Sequence, residues 1–144
     1  MLEKKKILII EDDKNIQKLL HINLSQEGFQ IIEAFDGIQG LTKAEESKPD
    51  LIVMDINLPK MKGIEVCRQL KINRLTSKIP VIMLTVKKDE IDRVLGFEVG
   101  ADDYVTKPFS VRELILRVQA VLRRRKEEGN EARLFAGEIT LDES

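Results

Sequence analysis

The stretch Leu51-Ile-Val-Met-Asp55-Ile-Asn-Leu-Pro59-Lys-Met-Lys-Gly63 is an apolar run that ends in a carboxylate and continues into a turn. Four apolar residues in a row, bounded by turn-forming residues, predict a strand that is buried on both faces of a sheet. Such a strand delivers Asp55 to its carboxyl end, the edge at which open parallel α/β sheets form their binding sites. The stretch therefore predicts an α/β fold with a functional carboxylate at the end of a central strand.

The rest of the chain alternates between strand and helix patterns around this central strand. Short apolar runs predict five strands, at residues 7–10, 30–34, 51–55, 80–85 and 103–107. Helical spacing of apolar residues predicts five helices, including one over residues 89–99 and a long last helix that Ser110 caps. This alternation predicts a (βα)5 doubly wound parallel sheet with helices on both faces.

Composition narrows the class of protein. A chain of 144 residues with 42% hydrophobic and 34% charged residues is typical of one soluble globular domain. Its net charge of −1 gives no general attraction to nucleic acid or to anionic lipid. The single cysteine, Cys67, excludes a disulfide within the chain and favours a reducing compartment. Because there is no membrane-length apolar run and no signal-peptide core, we expect a cytoplasmic protein that makes no contact with membranes.

Four of the predicted strands end in polar side chains, and these are Glu11, Asp12 and Asp13, then Asp55, Thr85 and Lys107. If the first and third strands are neighbours, their carboxylates converge and raise one another's pKa unless a cation shares them. Oxygen ligands with no His or Cys nearby suit Mg²⁺. A hydroxyl and an ammonium on the opposite rim suit an anionic group, so the set indicates phosphoryl transfer onto Asp55 as nucleophile.

Each of these residues alone has a simpler interpretation. An Asp after a strand is more often a helix cap or a turn residue, and we assign a cap role to Asp13. Thr85 alone would be a turn residue, and Lys107 alone a solvated side chain. The combination at four strand ends, in this order, favours a phosphoryl-transfer site.

The chain resembles the receiver domain of bacterial two-component response regulators. The resemblance rests on Glu11-Asp12, on Asp55 in D-x-N-L-P-x-M-x-G, on Thr85 and on the segment from Gly100 to Phe109. It implies a flavodoxin-like fold with strand order 2-1-3-4-5 and a cis peptide bond before Pro108. It also implies a signalling protein, not an enzyme with an external substrate.

The resemblance assigns the metal and the phosphoacceptor. Asp55 takes a phosphoryl group from the phosphohistidine of a sensor histidine kinase. Mg²⁺ is bound directly by Asp12 and Asp55, through water by Glu11, and by the backbone carbonyl of Asn57.

It also assigns the switch. Lys107 and Thr85 contact the phosphoryl group, and Tyr104 moves inward together with Thr85. This movement carries the signal to the surface of the fourth helix, fifth strand and fifth helix. Val86 stands where a small residue is frequent in the family, and we expect its bulk to slow phosphoryl transfer or hydrolysis.

A charged set resembles the dimer surface of regulators of the OmpR/PhoB type. Its members are Arg93, Asp102, Asp103, Glu113, Arg117 and Arg124. The pairs implied across a two-fold axis of a homodimer are Arg93 with Glu113, Asp103 with Arg117, and Asp102 with Arg124. The simpler interpretation is a solvated charged face, since exposed pairs are individually weak.

The expected domain division is a receiver domain over residues 1–126, followed by a linker and the start of a winged-helix effector domain over residues 127–144. The basic run at residues 123–126 predicts the end of the last helix, and residues 134–142 resemble the first strand of the effector domain. On this interpretation the effector domain is missing from the chain, and DNA is bound only through it.

Three other classes share parts of this pattern. A haloacid-dehalogenase-like phosphatase needs a second acid two residues after its nucleophile, where this chain has Asn57. A flavodoxin-like FMN carrier needs a phosphate loop after the first strand, where Glu11, Asp12 and Asp13 would repel phosphate. A stand-alone receiver that signals by protein contact remains the serious alternative.

Overall fold

Five strands and four helices make up the described part of the chain. The computed structural model describes residues 4–86, 94 and 98–137, with side chains as far as residue 127. The strands are β1 (Lys6–Ile10), β2 (Gln30–Ala34), β3 (Leu51–Asp55), β4 (Val81–Val86) and β5 (Asp103–Lys107). The helices are α1 (Lys14–Gln26), α2 (Gly37–Ser47), α3 (Gly63–Ile72) and α4 (Val111–Gly137). Most of the helix predicted over residues 89–99 lies outside the described residues, so the last helix is labelled α4.

The strands form one parallel sheet in the order β2-β1-β3-β4-β5, which confirms the predicted topology. β3 lies at its centre, between β1 and β4, and all five of its residues are buried. Because every strand runs in the same direction, the carboxyl ends of all five meet at one edge of the sheet. The opposite edge gathers the residues that precede the strands.

Each face of the sheet carries its own apolar cluster, because successive strand side chains point to opposite faces. On β1, Leu8 belongs to the cluster that includes α2 and α3 residues, whereas Ile9 belongs to the cluster that includes α1 and α4 residues. Burying each such Leu or Ile stabilises the fold by about 2 kcal/mol. Cys67 of α3 is fully buried, and burial raises the pKa of its thiol to about 11.

Helix α1 begins directly after the acidic residues that follow β1. The Asp13 side chain accepts hydrogen bonds from the backbone N–H groups of Asn15, at 2.8 Å, and of Ile16, at 3.1 Å. This confirms the cap role predicted for Asp13 and leaves Glu11 and Asp12 as the carboxylates that belong to the edge itself.

Helix α4 extends to Gly137, whereas we predicted that the helix ends in the run at residues 123–126 and that the linker begins at residue 127. The predicted helix end was therefore wrong, because the charged residues after 122 are good helix formers and continue the helix. Residues 134–137, predicted as the start of a strand, are helical, and residues 138–144 lie outside the described residues. The division into two domains stays a prediction. Among the described residues, no helix is both long enough and apolar enough to cross a membrane.

Candidate functional site

Three carboxylates form a cluster at the carboxyl edge of the sheet. Glu11 and Asp12 follow β1, and Asp55 ends β3, the strand that pairs with β1. Each contributes an oxygen atom, and these oxygens lie within 4.8 Å of one another. Glu11 and Asp55 are buried, whereas Asp12 is exposed. The structure brings together the carboxylates that the sequence placed at two strand ends, and it leaves one side of the cluster open to solvent.

Lys107 reaches this cluster from the end of β5. Its Nζ lies 3.0 Å from Asp55 Oδ2 and 3.3 Å from Glu11 Oε1. Burial lowers the pKa of Lys107, but its contacts with Asp55 and Glu11 outweigh this effect and raise the pKa above its ordinary value. Lys107 therefore stays positively charged beside Asp55.

Burial is the largest influence on Glu11. It raises the pKa of this carboxyl, and the nearby Asp55 charge raises it further, so that the pKa reaches about 7. Two groups oppose the shift: the backbone N–H of Asp13, which donates to Glu11 Oε2 at 3.1 Å, and Lys107. The cluster also sets three carboxylates against one contacting ammonium, that of Lys107, which alone does not offset them. Its oxygen donor set and its uncompensated charge both fit Mg²⁺, which prefers few carboxylates and keeps several waters.

The turn after β3 fixes the position of Asp55. The backbone N–H of Asn57 donates to Asp55 Oδ1 at 3.1 Å, and the N–H of Gly63 donates to the Ile56 carbonyl at 2.7 Å. A Cβ at position 63 would lie 2.5 Å from the Asp55 carbonyl oxygen, so only glycine allows this close approach. The Asn57 side chain is exposed, and the metal role of its carbonyl stays a prediction.

Thr85 and Tyr104 lie on the neighbouring strands β4 and β5. Thr85 is buried at the end of β4, and its Oγ1 donates to the Val86 carbonyl at 3.2 Å. The Tyr104 side chain is also buried, among the residues of the apolar cluster that includes α2 and α3 residues. The movement of Tyr104 together with Thr85 stays a prediction.

Gln17 is a site-supporting residue that the sequence analysis missed. This α1 residue is buried, and its Nε2 donates to the carbonyls of Ala34 at 3.0 Å, Ile9 at 3.1 Å and Glu11 at 3.2 Å. It therefore holds the backbone of Glu11 against the ends of β1 and β2. The only signal in the sequence is a Gln at a helical position one turn before the core residue Leu20.

Arg117 pairs with two carboxylates of its own chain, Asp103 and Glu113. Its Nη1 lies 3.0 Å from both carboxylate oxygens of Asp103, and its Nε lies 3.2 Å from Glu113 Oε2. The resemblance implied that Asp103 and Arg117 pair across a two-fold axis. In the single chain these groups satisfy each other, so a dimer that uses them must exchange these contacts.

The other members of the charged set differ in their positions. Asp102 accepts a hydrogen bond from the Val81 N–H at 2.8 Å and lies 3.8 Å from Lys71 Nζ. Arg124 is exposed on α4. Arg93 lies outside the described residues. The dimer role of the whole set stays a prediction.

A family model described as the response regulator receiver domain matches residues 7–119 of the chain. A curated relative, the alkaline phosphatase synthesis transcriptional regulatory protein PhoP of Bacillus subtilis (strain 168), is 55% identical over 120 residues. The match covers 83% of this chain and 49% of the relative, so the chain spans about half the length of that protein.

Solved structures agree with this match. The response regulator receiver domain protein (CheY-like) of Methanospirillum hungatei JF-1 has a TM-score of 0.82 and 30% identity, and the match covers 88% of this chain and 99% of that one. The receiver domain of a sensor histidine kinase from Pseudomonas aeruginosa PAO1 has a TM-score of 0.74 and 31% identity, over 85% of this chain and 97% of that one. That structure holds a magnesium ion coordinated in its active-site cleft.

Proposed function

The chain belongs to the response regulator receiver domain family, and from this membership we propose that Asp55 accepts a phosphoryl group from the phosphohistidine of a sensor histidine kinase. One observation carries the assignment to Asp55: this buried carboxylate contacts Lys107 at 3.0 Å and shares a cluster with Glu11 and Asp12. Lys107 and the neighbouring carboxylates hold Asp55 in place at the end of β3, where its oxygen can act as a nucleophile.

The proposed step forms one bond and breaks one bond. An Asp55 carboxylate oxygen attacks the phosphorus atom, and the phosphorus–nitrogen bond of the phosphohistidine breaks. The departing imidazole nitrogen keeps the electron pair and takes a proton from solvent, and Asp55 becomes an acyl phosphate. Lys107 and Thr85 contact the oxygens of the transferred group and stabilise its charge.

Asp12, Asp55 and Glu11 are the side chains that would hold Mg²⁺, together with the Asn57 carbonyl. When bound, the ion supplies charge neutralisation for the phosphoryl oxygens. The magnesium in the Pseudomonas aeruginosa receiver supports this assignment, since that domain is similar to this chain. Within this chain, the three carboxylates support it, since their oxygens lie within 4.8 Å of one another.

We further propose that the phosphorylated chain controls a transcriptional regulator in the cytoplasm, as the name of the Bacillus subtilis relative suggests. DNA would be bound through an effector domain outside this chain. The receiver itself would turn over no external substrate. Its output would be dimerisation, in which Arg117 exchanges its internal Asp103 partner for the Asp103 of a second copy.

The test of this function is the intact mass of the protein after incubation with Mg²⁺ and a small phosphodonor. We expect a gain of one phosphoryl group that is lost in Asp55→Asn and in the presence of EDTA. Asp50→Asn is the matched control, because it makes the same substitution just before the other end of β3 and should keep the gain. A gain that persists in Asp55→Asn would refute the assigned site.

Sizing of the same samples tests the dimer separately. We expect the phosphorylated protein to elute as a dimer and Arg117→Ala to stay monomeric while it still gains the phosphoryl group. A phosphorylated wild-type protein that remains monomeric would refute the dimer and favour signalling by contact with another protein.

A further inference from the structure

A second cavity lies at the edge of the sheet opposite Asp55. Lys5, Asp50 and Pro80 line it, and they directly precede β1, β3 and β4. Strands of this length separate the cavity from the carboxylate cluster by about 15–20 Å. The cavity has a volume of about 630 Å³, within the usual range of small-molecule sites. We call it the basic cleft, after the six cationic residues that line it: Lys5, Arg74, Lys78, Arg123, Arg125 and Lys126.

The charge of the basic cleft is largely uncompensated. Asp50 is its one acidic lining residue, and Asp50 Oδ2 accepts a hydrogen bond from the Lys6 N–H at 2.7 Å. The ion pairs found among the described residues include none with the side chains of five of the six cations, namely Lys5, Arg74, Lys78, Arg123 and Lys126. In a chain with a net charge of −1, this edge is therefore a local region of positive potential.

Two backbone carbonyls in the wall of the cleft already accept hydrogen bonds from cationic side chains. The guanidinium of Arg125 donates to the Lys78 carbonyl, and Lys71 Nζ donates to the Ile79 carbonyl at 2.7 Å. An anion in the cleft would thus meet donors and not these two carbonyl oxygens. Burial lowers the pKa of Lys71, whose ammonium is held between Ile79 and Asp102.

The remaining lining is apolar. Pro49 and Pro80 are buried, Ile79 and Leu122 are half-buried, and Leu75 is 59% exposed. The accessible parts of Ile79, Leu122 and Leu75 offer a planar ring apolar contact, and the arginine guanidinium groups offer stacking. The cleft therefore combines donors for a multiply charged anion with a surface for a flat, weakly polar group.

We propose that the basic cleft binds a nucleoside polyphosphate, with its phosphates on the Arg and Lys side chains and its base on the apolar lining. Arginine forks match phosphate oxygens in bidentate geometry, and several cations together suit the charge of a di- or triphosphate. An acidic peptide would meet the same charge, but the concave shape and the apolar lining favour a compact ligand with a planar part. This proposal does not depend on the phosphorylation of Asp55.

The test is calorimetric titration of the whole chain with ATP, in EDTA so that no metal ion links the nucleotide to the acidic edge. We expect saturable binding with a Kd on the order of 100 µM and weaker binding of tripolyphosphate, which lacks the base. Lys78→Gln combined with Arg123→Gln removes two exposed cations and should weaken binding about tenfold or more. Lys18→Gln combined with Arg112→Gln is the matched control, because it removes the same charge from exposed positions outside the cleft.

Amide shifts in an NMR titration of the unmodified protein locate the site without any substitution. We expect the shifts at Lys5, Lys78 and Arg123, and not at Asp12 or Asp55. Three outcomes would overturn the proposal: no saturable binding, equal loss of binding in the two double variants, or tighter binding of an acidic peptide than of ATP. Equal affinity for tripolyphosphate and ATP would overturn the assignment of a nucleoside.

Discussion

The two edges of the sheet carry opposite charge, although the same strands run between them. Asp50 and Asp55 show the difference most directly, since they flank β3 at its two ends. Asp55 shares its surroundings with Glu11, Asp12 and Lys107, whereas Asp50 faces a cleft that is lined by cations. The same side chain is thus part of a cation site at one edge and a lone anion at the other.

In a parallel sheet, the residues at corresponding ends of the strands lie together at one edge, whatever their charge. The ends of β1, β3 and β5 supply the carboxylate cluster and Lys107, whereas residues that precede β1, β3 and β4 line the basic cleft, so no single strand supplies a complete site. The charge of an edge is therefore a sum over strands, and exchanging one residue changes the local field without changing the fold.

Substitution of two lysines at opposite edges should have very different effects on the rate of phosphorylation. Lys107 ends β5 and contacts Asp55, whereas Lys6 begins β1 and its Nζ donates to the Ser47 carbonyl at 2.9 Å. We expect Lys107→Met to slow phosphorylation by a small donor about 100-fold, because the charge that stabilises the transferred group is lost. Lys6→Met should keep the wild-type rate. Initial rates of mass gain measure both effects. Similar rates in the two variants would show that Lys107 has no special role in phosphorylation.

Substitutions of Glu11 and Asp50 should change the free energy of unfolding in opposite directions. Glu11→Gln should stabilise the metal-free protein at pH 8 by about 1–3 kcal/mol, since it removes a buried charge whose ionisation is unfavourable. Asp50→Asn should destabilise it by about 1 kcal/mol, since the Lys6 N–H loses a charged acceptor among cations. Urea unfolding in EDTA measures both free energies. Two changes of the same sign would show that the edges do not differ in this way.

The pH dependence of the Glu11 effect follows from its pKa, which burial raises from 4.5 to about 7. Between these values the unfolded chain releases the proton and the folded chain retains it, so the free energy of unfolding falls as pH rises. Below pH 4.5 and above pH 7 this contribution is level. The decrease should be present in the wild-type protein and reduced in Glu11→Gln.

A smaller effect tests how the acidic edge is held in place. Gln17→Met keeps the volume of the side chain but removes three hydrogen bonds to carbonyls, so it should destabilise the protein by about 1–2 kcal/mol. It should also speed amide exchange at Glu11 and Asp12. Gln26→Met, at an exposed position on the same helix, is the control and should change neither. Unchanged exchange in Gln17→Met would show that Gln17 does not support the edge.

The smallest effect concerns access to Asp55. Val86→Ala shortens the side chain next to Thr85 and should speed phosphorylation or dephosphorylation about two- to fivefold, because the path to the carboxylate widens. Rates of mass gain and loss are the measurement. Unchanged rates in both directions would show that Val86 does not limit access.

The acidic edge was predictable from sequence because its residues lie at or just after the ends of the predicted strands. The strand register then follows from the order of the sheet, and Glu11, Asp55 and Lys107 lie together as expected. Gln17 was not predictable, since a buried amide and an exposed one have the same letter. The length of α4 was also missed, because a change in charge pattern does not by itself end a helix.

The basic cleft escaped sequence analysis for a different reason. Its residues come from four separated parts of the chain, at residue 5, residues 49–50, residues 74–80 and residues 122–126. Three of these parts carry the basic residues: Lys5 precedes β1, Arg74 and Lys78 follow α3, and the last three lie within α4. Each is ordinary for a solvated position. Only the folded chain brings them around one cavity.

The protection of Cys67 makes the chain ready for site-specific labelling. Its thiol is fully buried and has a pKa of about 11, so only about one molecule in ten thousand carries the reactive thiolate at pH 7. A dye attached through Lys18→Cys or another exposed substitution would therefore react at one position in an otherwise native sequence. A fluorophore placed in this way would report on phosphorylation at one edge or ligand binding at the other, and the natural cysteine need not be removed first.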